Sequence, residues 1–245
     1  MGLERGEPAQ AKGKGIYEAY VKRPADFVLA FAALVVLSPL IVTVWVLVRV
    51  KLGSPVVFRQ KRPGLNEKIF TMYKFRTMTD ARDKDGRLLP DEARLTKFGR
   101  LLRETSCDEV LELVNIIKGD LSWCGPRPQL VRDMVFMTER ERVRHSVRPG
   151  LTGLAQVNGR NSISWEEKFK WDLKYIEDGV TFAGDVKILL KTVGKVFGRE
   201  DICGEGMATA EDYGDYLLRT GKVEREEYER MQRRAEELVK GRRYH

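Results

Sequence analysis

From Phe27 to Val48 the chain carries no charged residue: FVLAFAALVVLSPLIVTVWVLV. A run of this length matches the roughly 20 residues needed to cross a hydrocarbon core, which makes it a membrane segment. The apolar region of a secretory signal is shorter, about 7–15 residues, and is followed by a small-residue cleavage site, which is not evident here. Ser38-Pro39 sits at the centre of the run. Proline removes one amide donor and its ring clashes with the carbonyl four residues back, so a break is expected there. Lys22 and Arg23 precede the run, and Arg49 and Lys51 follow it. Positive charge on both flanks gives no preferred direction of crossing. The expectation is a re-entrant helix-break-helix over residues 25–50, dipping into one leaflet with both ends cytoplasmic. A kinked full span is the alternative.

The net charge of +8 points to an anionic partner, whether nucleic acid, a phosphate-bearing substrate or the negative face of a membrane. Cys107, Cys124 and Cys203 form no CxxC pair, so neither a disulfide framework nor a cysteine-rich zinc site is expected. With only His145 and His245 present, a Ser-His-Asp triad would rest on His145 alone. Chemistry is therefore expected on carboxylates and arginines.

Around the membrane segment (25–50), residues 1–24 read as a flexible basic arm ending in Lys22-Arg23-Pro24. Residues 51–202 form the catalytic part, and 203–245 a charged helical extension. The pattern predicts a mainly α fold with short β or extended segments, an α+β class. SPVVFRQKRPG and EKIFTMYKFRTM are the extended pieces, around a Pro-Gly turn. Apolar spacing predicts helices over 92–102, 108–117, 129–143 and 165–177. Leu189, Val193, Val196 and Phe197 continue the pattern on a basic helix that either lies on a membrane surface or packs on the core. The mixed-sign C-terminal helix suits solvated surface or a subunit contact, which leaves a homodimer open. No P-loop or GxGxxG cradle is present.

Four groups of residues carry candidate chemistry. In TSCDEVLELVNIIKGD, Ser106 followed by Glu109 fits a capping box, with Asp108 complementing the helix dipole. The same helix start would attract phosphate beside Asp108. Adjacent residues on a regular helix diverge by about 100°, so Asp108 and Glu109 share one target only if the backbone departs from it. In WCGPRPQL, Pro126 and Pro128 stiffen the chain on both sides of Arg127, which suits bidentate phosphate recognition as well as a rigid turn. RPGLTG with QVNGRN forms a Gly-rich polar loop system, and Arg59, Arg62, Lys74 and Arg76 form a further basic group.

Together these blocks resemble the bacterial sugar transferase family, the small monotopic polyprenol-phosphate phosphoglycosyl transferases that begin exopolysaccharide and glycoconjugate assembly. The resemblance runs over about residues 20–200: KRPADFVLA with SPL, FRQKRPG, YKFRTM, CDEVLELVNIIKGDLSWCGPRP, RPGLTGLAQVNGRN, and WEEKFKWDLKYIED with DVKILLKTV. The chain looks most like the compact members, without the extra N-terminal membrane helices of larger ones. One block departs from the family's usual Leu-Asp-Glu-Leu-Pro, reading Cys107-Asp108-Glu109-Val110-Leu111, which bears on local helix geometry.

The resemblance implies transfer of a sugar-1-phosphate from a UDP-sugar to polyprenyl (undecaprenyl) phosphate, with release of UMP, at the cytoplasmic face of the bacterial inner membrane. It places the catalytic pair at Asp108 and Glu109, with Asp108 forming a covalent phosphosugar intermediate. It also implies magnesium held by both carboxylates, with Glu109 serving metal positioning or the acceptor step. Arg127 is assigned to phosphate, and Lys74 and Arg76 to diphosphate or lipid headgroups. Arg148, Asn158 and Arg160 are weaker candidates for holding the nucleotide sugar. Three alternatives stand beside this reading: a membrane-tethered nucleic-acid binder, which lacks a binding module; a membrane scaffold; and a degenerate transferase.

Overall fold

The computed structural model describes residues 15–159, 163–198 and 211–241, and the side chains of 196–198 lie outside the description. Helix content dominates, with two small two-stranded sheets among the described residues. The apolar run forms two helices, α1 (Lys22–Val36) and α2 (Ser38–Leu52), bent by 63° at the break. Pro39 leaves the Val35 carbonyl without its helical donor, and the Ser38 hydroxyl donates to that carbonyl at 2.7 Å. The dipeptide therefore both breaks the helix and satisfies the group the break frees.

The arm expected through Pro24 is helical from its last turns. Tyr17–Val21 forms a π-helical turn running into α1, and Lys22 is buried against Asp185 in an ion pair. Arg23 donates to the Ile116 and Ile117 carbonyls at 2.6 and 2.8 Å, and Asp26 accepts the Trp123 amide at 3.3 Å. The basic flank is thus fixed to the soluble part by burial and pairing. At the other end of the pair, Val44 and Val48 pack with Phe75 and Leu102. Both ends of the bent pair consequently touch the same soluble body.

The two extended pieces form an antiparallel hairpin, β1 (Val57–Pro63) with β2 (Ile69–Phe75), in which Phe58 faces Lys74 and Pro63 faces Ile69. Pro63-Gly64 opens its turn, as expected, and Asn66 and Glu67 take left-handed φ. Asn115 holds the hairpin from the side, accepting from the Tyr73 amide and donating to the Thr71 carbonyl.

The long helices predicted over 92–102, 108–117 and 129–143 are broken. The first becomes Asp91–Arg94 and α3 (Lys97–Glu104), because Thr96 caps α3 by accepting the Gly99 amide at 3.0 Å. The second becomes a 3-10 turn at Cys107–Glu109 followed by α4 (Glu112–Lys118). The third divides into Val131–Met134, Glu139–Arg142 and a 3-10 turn at Val143–Ser146, with Thr138 and Glu141 boxing the middle piece. Capping side chains inside the apolar periodicity decide the first and third breaks, and left-handed Ser106 the second.

Two strands pair in parallel, β3 (Ser122–Cys124) with β4 (Gly150–Thr152). The expected helix over 165–177 is α5 (Trp165–Glu177), boxed by Ser164 and Glu167. α6 (Phe182–Gly198) leaves Phe182, Leu190 and Val193 exposed, while Ile188 is buried. The C-terminal extension forms α7 (Tyr213–Arg219) and α8 (Arg225–Val239).

Glu67 at the hairpin turn is gripped by Arg142, whose Nε lies 2.5 Å from Oε1, and His145 sits 3.6 Å away. His145 and Arg142 hold the Glu67 carboxyl down at about 2. A depressed carboxylate stabilises the fold above its unfolded pKa, about 4.3, and that stability is lost as pH falls through the folded value. Glu67→Gln should cost about 1 kcal/mol at pH 7. In thermal melts, the gap from the parent protein should shrink as pH is lowered from 5 toward 2, and a gap that stays constant would remove this ion pair from the account.

Candidate active site

The site begins with a backbone departure. Ser106 takes left-handed φ/ψ of 55° and 16° and makes no side-chain cap, so the capping box expected with Glu109 does not form. The next three residues form a 3-10 turn instead of the first turn of an α-helix. That departure lets the adjacent side chains of Asp108 and Glu109 line one cavity. A helix start suited to phosphate does not form at this position either.

Glu109 is the hub of the ion pairs. Its Oε1 receives Lys74 at 2.7 Å and Arg127 at 2.5 Å, and Lys74 also reaches Glu112 at 3.1 Å. Burial would push Glu109 up, but Arg127 and Lys74 hold it well below the usual carboxylate range. Asp108 is buried, and burial together with the charge of Glu109 raises its pKa against the pull of Lys74 and Arg103. Neighbouring carboxylates are thus driven apart: one is firmly ionised and paired with cations, the other sits at higher basicity on the cavity wall. Only the ionised carboxylate is a nucleophile, so the pull of Lys74 and Arg103 toward ionisation is what favours attack by Asp108.

Arg127 stands on a loop that is fixed by more than its prolines. Arg144 donates to the Arg127 carbonyl at 2.7 Å and to Asp172 at 2.6 Å, with Arg144 and Asp172 both 2% exposed. Arg62 donates to the Pro128 carbonyl at 3.0 Å. The loop also lies directly on the RPGLTG segment. The Gly125 amide donates to the Thr152 carbonyl at 2.9 Å, and a Cβ at Gly125 would sit 2.3 Å from the Arg148 carbonyl oxygen. Glycine is required there by contact between two backbones.

The cavity holds about 1620 Å³. It exceeds the roughly 300–1,000 Å³ of a pocket for one small ligand. Its walls run from Trp45 and Arg49 of α2 and Phe58 of β1, past Lys74, Asp108, Glu109 and Arg127, to Trp165, Tyr216 and Arg219.

The structure brings together Asp108, Glu109, Arg127 and Lys74. Arg76 lines the same cavity, but its guanidinium is occupied by the Met78 and Ser54 carbonyls and by Asp80. Arg148 is directed to the Gly119 carbonyl and Asn158 to the Leu154 carbonyl, and neither lines the cavity. Arg160 lies outside the described residues. The sequence reading passed over Glu112, 1% exposed and bound to Lys74. Its position four residues after Asp108 and three after Glu109 was the available signal.

Asp108 and Glu109 are the adjacent carboxylates here that could hold magnesium, which binds through one or two carboxylates plus phosphates and water, and Glu109 Oε1 already carries Lys74 and Arg127. Among the described residues no group of three or more His, Cys, Asp or Glu is arranged as an all-protein metal cage.

Comparison with known proteins bears on this geometry. The family model described as "Bacterial sugar transferase" matches residues 17–199. An uncharacterized sugar transferase, EpsL, of Bacillus subtilis is 52% identical over 193 residues, covering 79% of this chain and 95% of its own length. A UDP-glucose:undecaprenyl-phosphate glucose-1-phosphate transferase of Klebsiella pneumoniae is 35% identical over 186 residues, 72% of this chain and 40% of that protein. An undecaprenyl-phosphate galactose phosphotransferase of Salmonella typhimurium is 32% identical over 198 residues, 74% of this chain and 41% of that protein. The chain therefore spans less than half the length of the latter two. With its paired carboxylates, its clamped Gly-Pro-Arg-Pro loop and a family match over most of its length, this chain belongs to the bacterial sugar transferase family.

Proposed function

We propose that the protein transfers a sugar-1-phosphate from a UDP-sugar to undecaprenyl phosphate, releasing UMP, as the first membrane step of glycan assembly. The observation that carries the reading is the position of Asp108, a buried carboxylate next to Glu109 on the cavity wall. It opens on a cavity that reaches the membrane helices, beside cations fixed by Glu109. The names of the Klebsiella and Salmonella relatives support the substrate classes.

In this mechanism an Asp108 oxygen attacks the phosphorus bearing the sugar. The P–O bond to UMP breaks and UMP leaves with the bonding electron pair. An oxygen of undecaprenyl phosphate then attacks the same phosphorus, the Asp108–P bond breaks, and the carboxylate is regenerated as the lipid diphosphate sugar departs. Arg127 is close enough to Glu109 to be held there between turnovers, and it swings or shares its donors with the transferring phosphoryl oxygens. Lys74, itself paired with Glu112, holds Glu109 in place. Magnesium, held by Asp108, Glu109 and substrate phosphate oxygens, would supply neutralisation of phosphate charge.

The reading includes a re-entrant membrane pair at the cytoplasmic face. It is supported by the 63° bend and by the attachment of both ends of the pair to one soluble body. The outward side chains agree: Val28, Phe31, Val36, Val42, Val46 and Val50 are exposed, an apolar surface that water would not tolerate but lipid would. Exposed Phe182, Leu190 and Val193 on α6 would rest at the lipid headgroups.

The test is UMP release from a panel of UDP-sugars with magnesium and undecaprenyl phosphate in detergent. UMP should appear in equal amount to the lipid-linked product. Release of UDP instead would indicate ordinary glycosyl transfer and reject the reading.

A further inference from the structure

Residues 211–241 lie beyond the part matched by the family, residues 17–199, yet they are built into the cavity. The Tyr213 amide donates to Asp133 at 2.9 Å, and the Trp165 indole N–H donates to the Glu211 carbonyl at 3.3 Å. Asp212 pairs with Arg132, and the Tyr213 ring packs 5.1 Å from both Trp165 and Phe169. A Cβ at Gly214 would fall 2.5 Å from Phe136, so α7 lies tight against the catalytic part. α8 buries Ala235 with Val131 and Met134.

The hairpin β1–β2 gives the cavity a direction. Its Phe75 end packs on Val44 and Val48 of α2, and its Ile69 end packs beside Ala235 and Leu238 of α8. The six residue steps between Phe75 and Ile69 span about 20 Å. Lys74, which fixes Glu109, is at the membrane end. A lipid phosphate must arrive from the membrane end, so the water-soluble donor takes the other, and there the wall is the C-terminal extension.

That end carries groups fitted to a nucleotide. Tyr216 is half-buried and lines the cavity, its hydroxyl tied to Glu166 at 2.8 Å. Arg219 is held by Glu211 through two hydrogen bonds of 2.8 and 2.9 Å, with its guanidinium 5.6 Å from the Tyr216 ring. Lys222 lies over the same ring at 5.1 Å and Tyr213 stacks with it at 6.4 Å, so this wall offers a pyrimidine an aromatic edge flanked by fixed cations, with donors for its carbonyls. Farther in, Gln156 and Asp172 belong to the cavity wall, and Asp172 is held there by Arg144.

We infer that the C-terminal α7–α8 unit is the outer wall of the donor subsite, with Tyr216 and Arg219 contacting the nucleoside of the nucleotide sugar, so that it selects donor and not lipid. The inference rests on the proposed reaction for its ligand.

The test uses the full-length enzyme with Tyr216→Ala, Tyr216→Phe and Arg219→Ala. Tyr216→Ala and Arg219→Ala should each raise KM for the UDP-sugar and weaken UMP binding by about tenfold, the effect of losing one good contact. KM for undecaprenyl phosphate should stay within about twofold, the split expected of a contact made only to the donor. Tyr216→Phe, which keeps the ring, should retain donor KM, a rescue that general loosening of the fold would not give. Unchanged donor KM and UMP affinity in both alanine variants, or an equal rise in the lipid KM, would overturn the inference. UMP binding by calorimetry reads the wall even without turnover. An enzyme that binds UMP through Tyr216 but releases none would therefore fail the reaction and keep the wall.

Discussion

Asp108→Asn is expected to lower sugar-phosphate transfer by about 10⁴-fold or more, the scale seen when a covalent nucleophile is removed. The substitution is nearly isosteric and removes a charge that sits in an unfavourable place, since burial and Glu109 both oppose ionisation there. Stability should therefore hold or rise slightly while activity disappears. Glu109→Gln differs in kind. It keeps an acceptor oxygen but removes the negative charge that Lys74 and Arg127 share, so it should lose both activity and stability. Comparing the two variants by turnover and thermal midpoint separates the roles. Substantial turnover in Asp108→Asn would move the nucleophile elsewhere.

The largest effect on folding is expected at Arg144→Met. Arg144 and Asp172 form an ion pair with each partner 2% exposed, and removing one partner leaves a buried carboxylate uncompensated at a cost of about 3–5 kcal/mol. The change also frees the Arg127 carbonyl, so the Gly-Pro-Arg-Pro loop loses a clamp. In urea the unfolding midpoint should fall sharply with an unchanged slope. The double variant with Asp172→Leu should recover much of the loss, because two apolar groups can replace a buried pair. A single-variant loss below about 1 kcal/mol would contradict the clamp.

Much of the site was legible in the sequence because its signals are local. The acidic pair, the Pro-flanked Arg127 and the Ser38-Pro39 break each depend on adjacent residues, and the structure places the first two on one cavity and bends the chain at the third. The α5 range followed from its apolar spacing, and the structure adds the Ser164–Glu167 box at its start.

What escaped depends on distant partners. The basic flank Lys22-Arg23 looked like free charge and is consumed by Asp185 and by the carbonyl end of α4, about 160 and 90 residues away, separations that no periodicity encodes. Arg148 resembled the other loop arginines but turns to Gly119 because the backbone-on-backbone packing at Gly125 and Gly150 sets its direction. The left-handed Ser106 overrode a good capping pattern, and in doing so let two adjacent carboxylates face one space. The C-terminal extension showed no chemical motif, since its Tyr216 and Arg219 gain a context only when α7 docks on Trp165 and Asp133.

The most direct measurement is intact and peptide mass spectrometry of the active full-length enzyme mixed with its UDP-sugar in the absence of undecaprenyl phosphate. The account predicts one added sugar-phosphate, mapped to Asp108, formed with stoichiometric UMP and discharged when the lipid phosphate is supplied. An enzyme shown to be active that carries no such adduct, and releases UMP only when both substrates are present together, would contradict it.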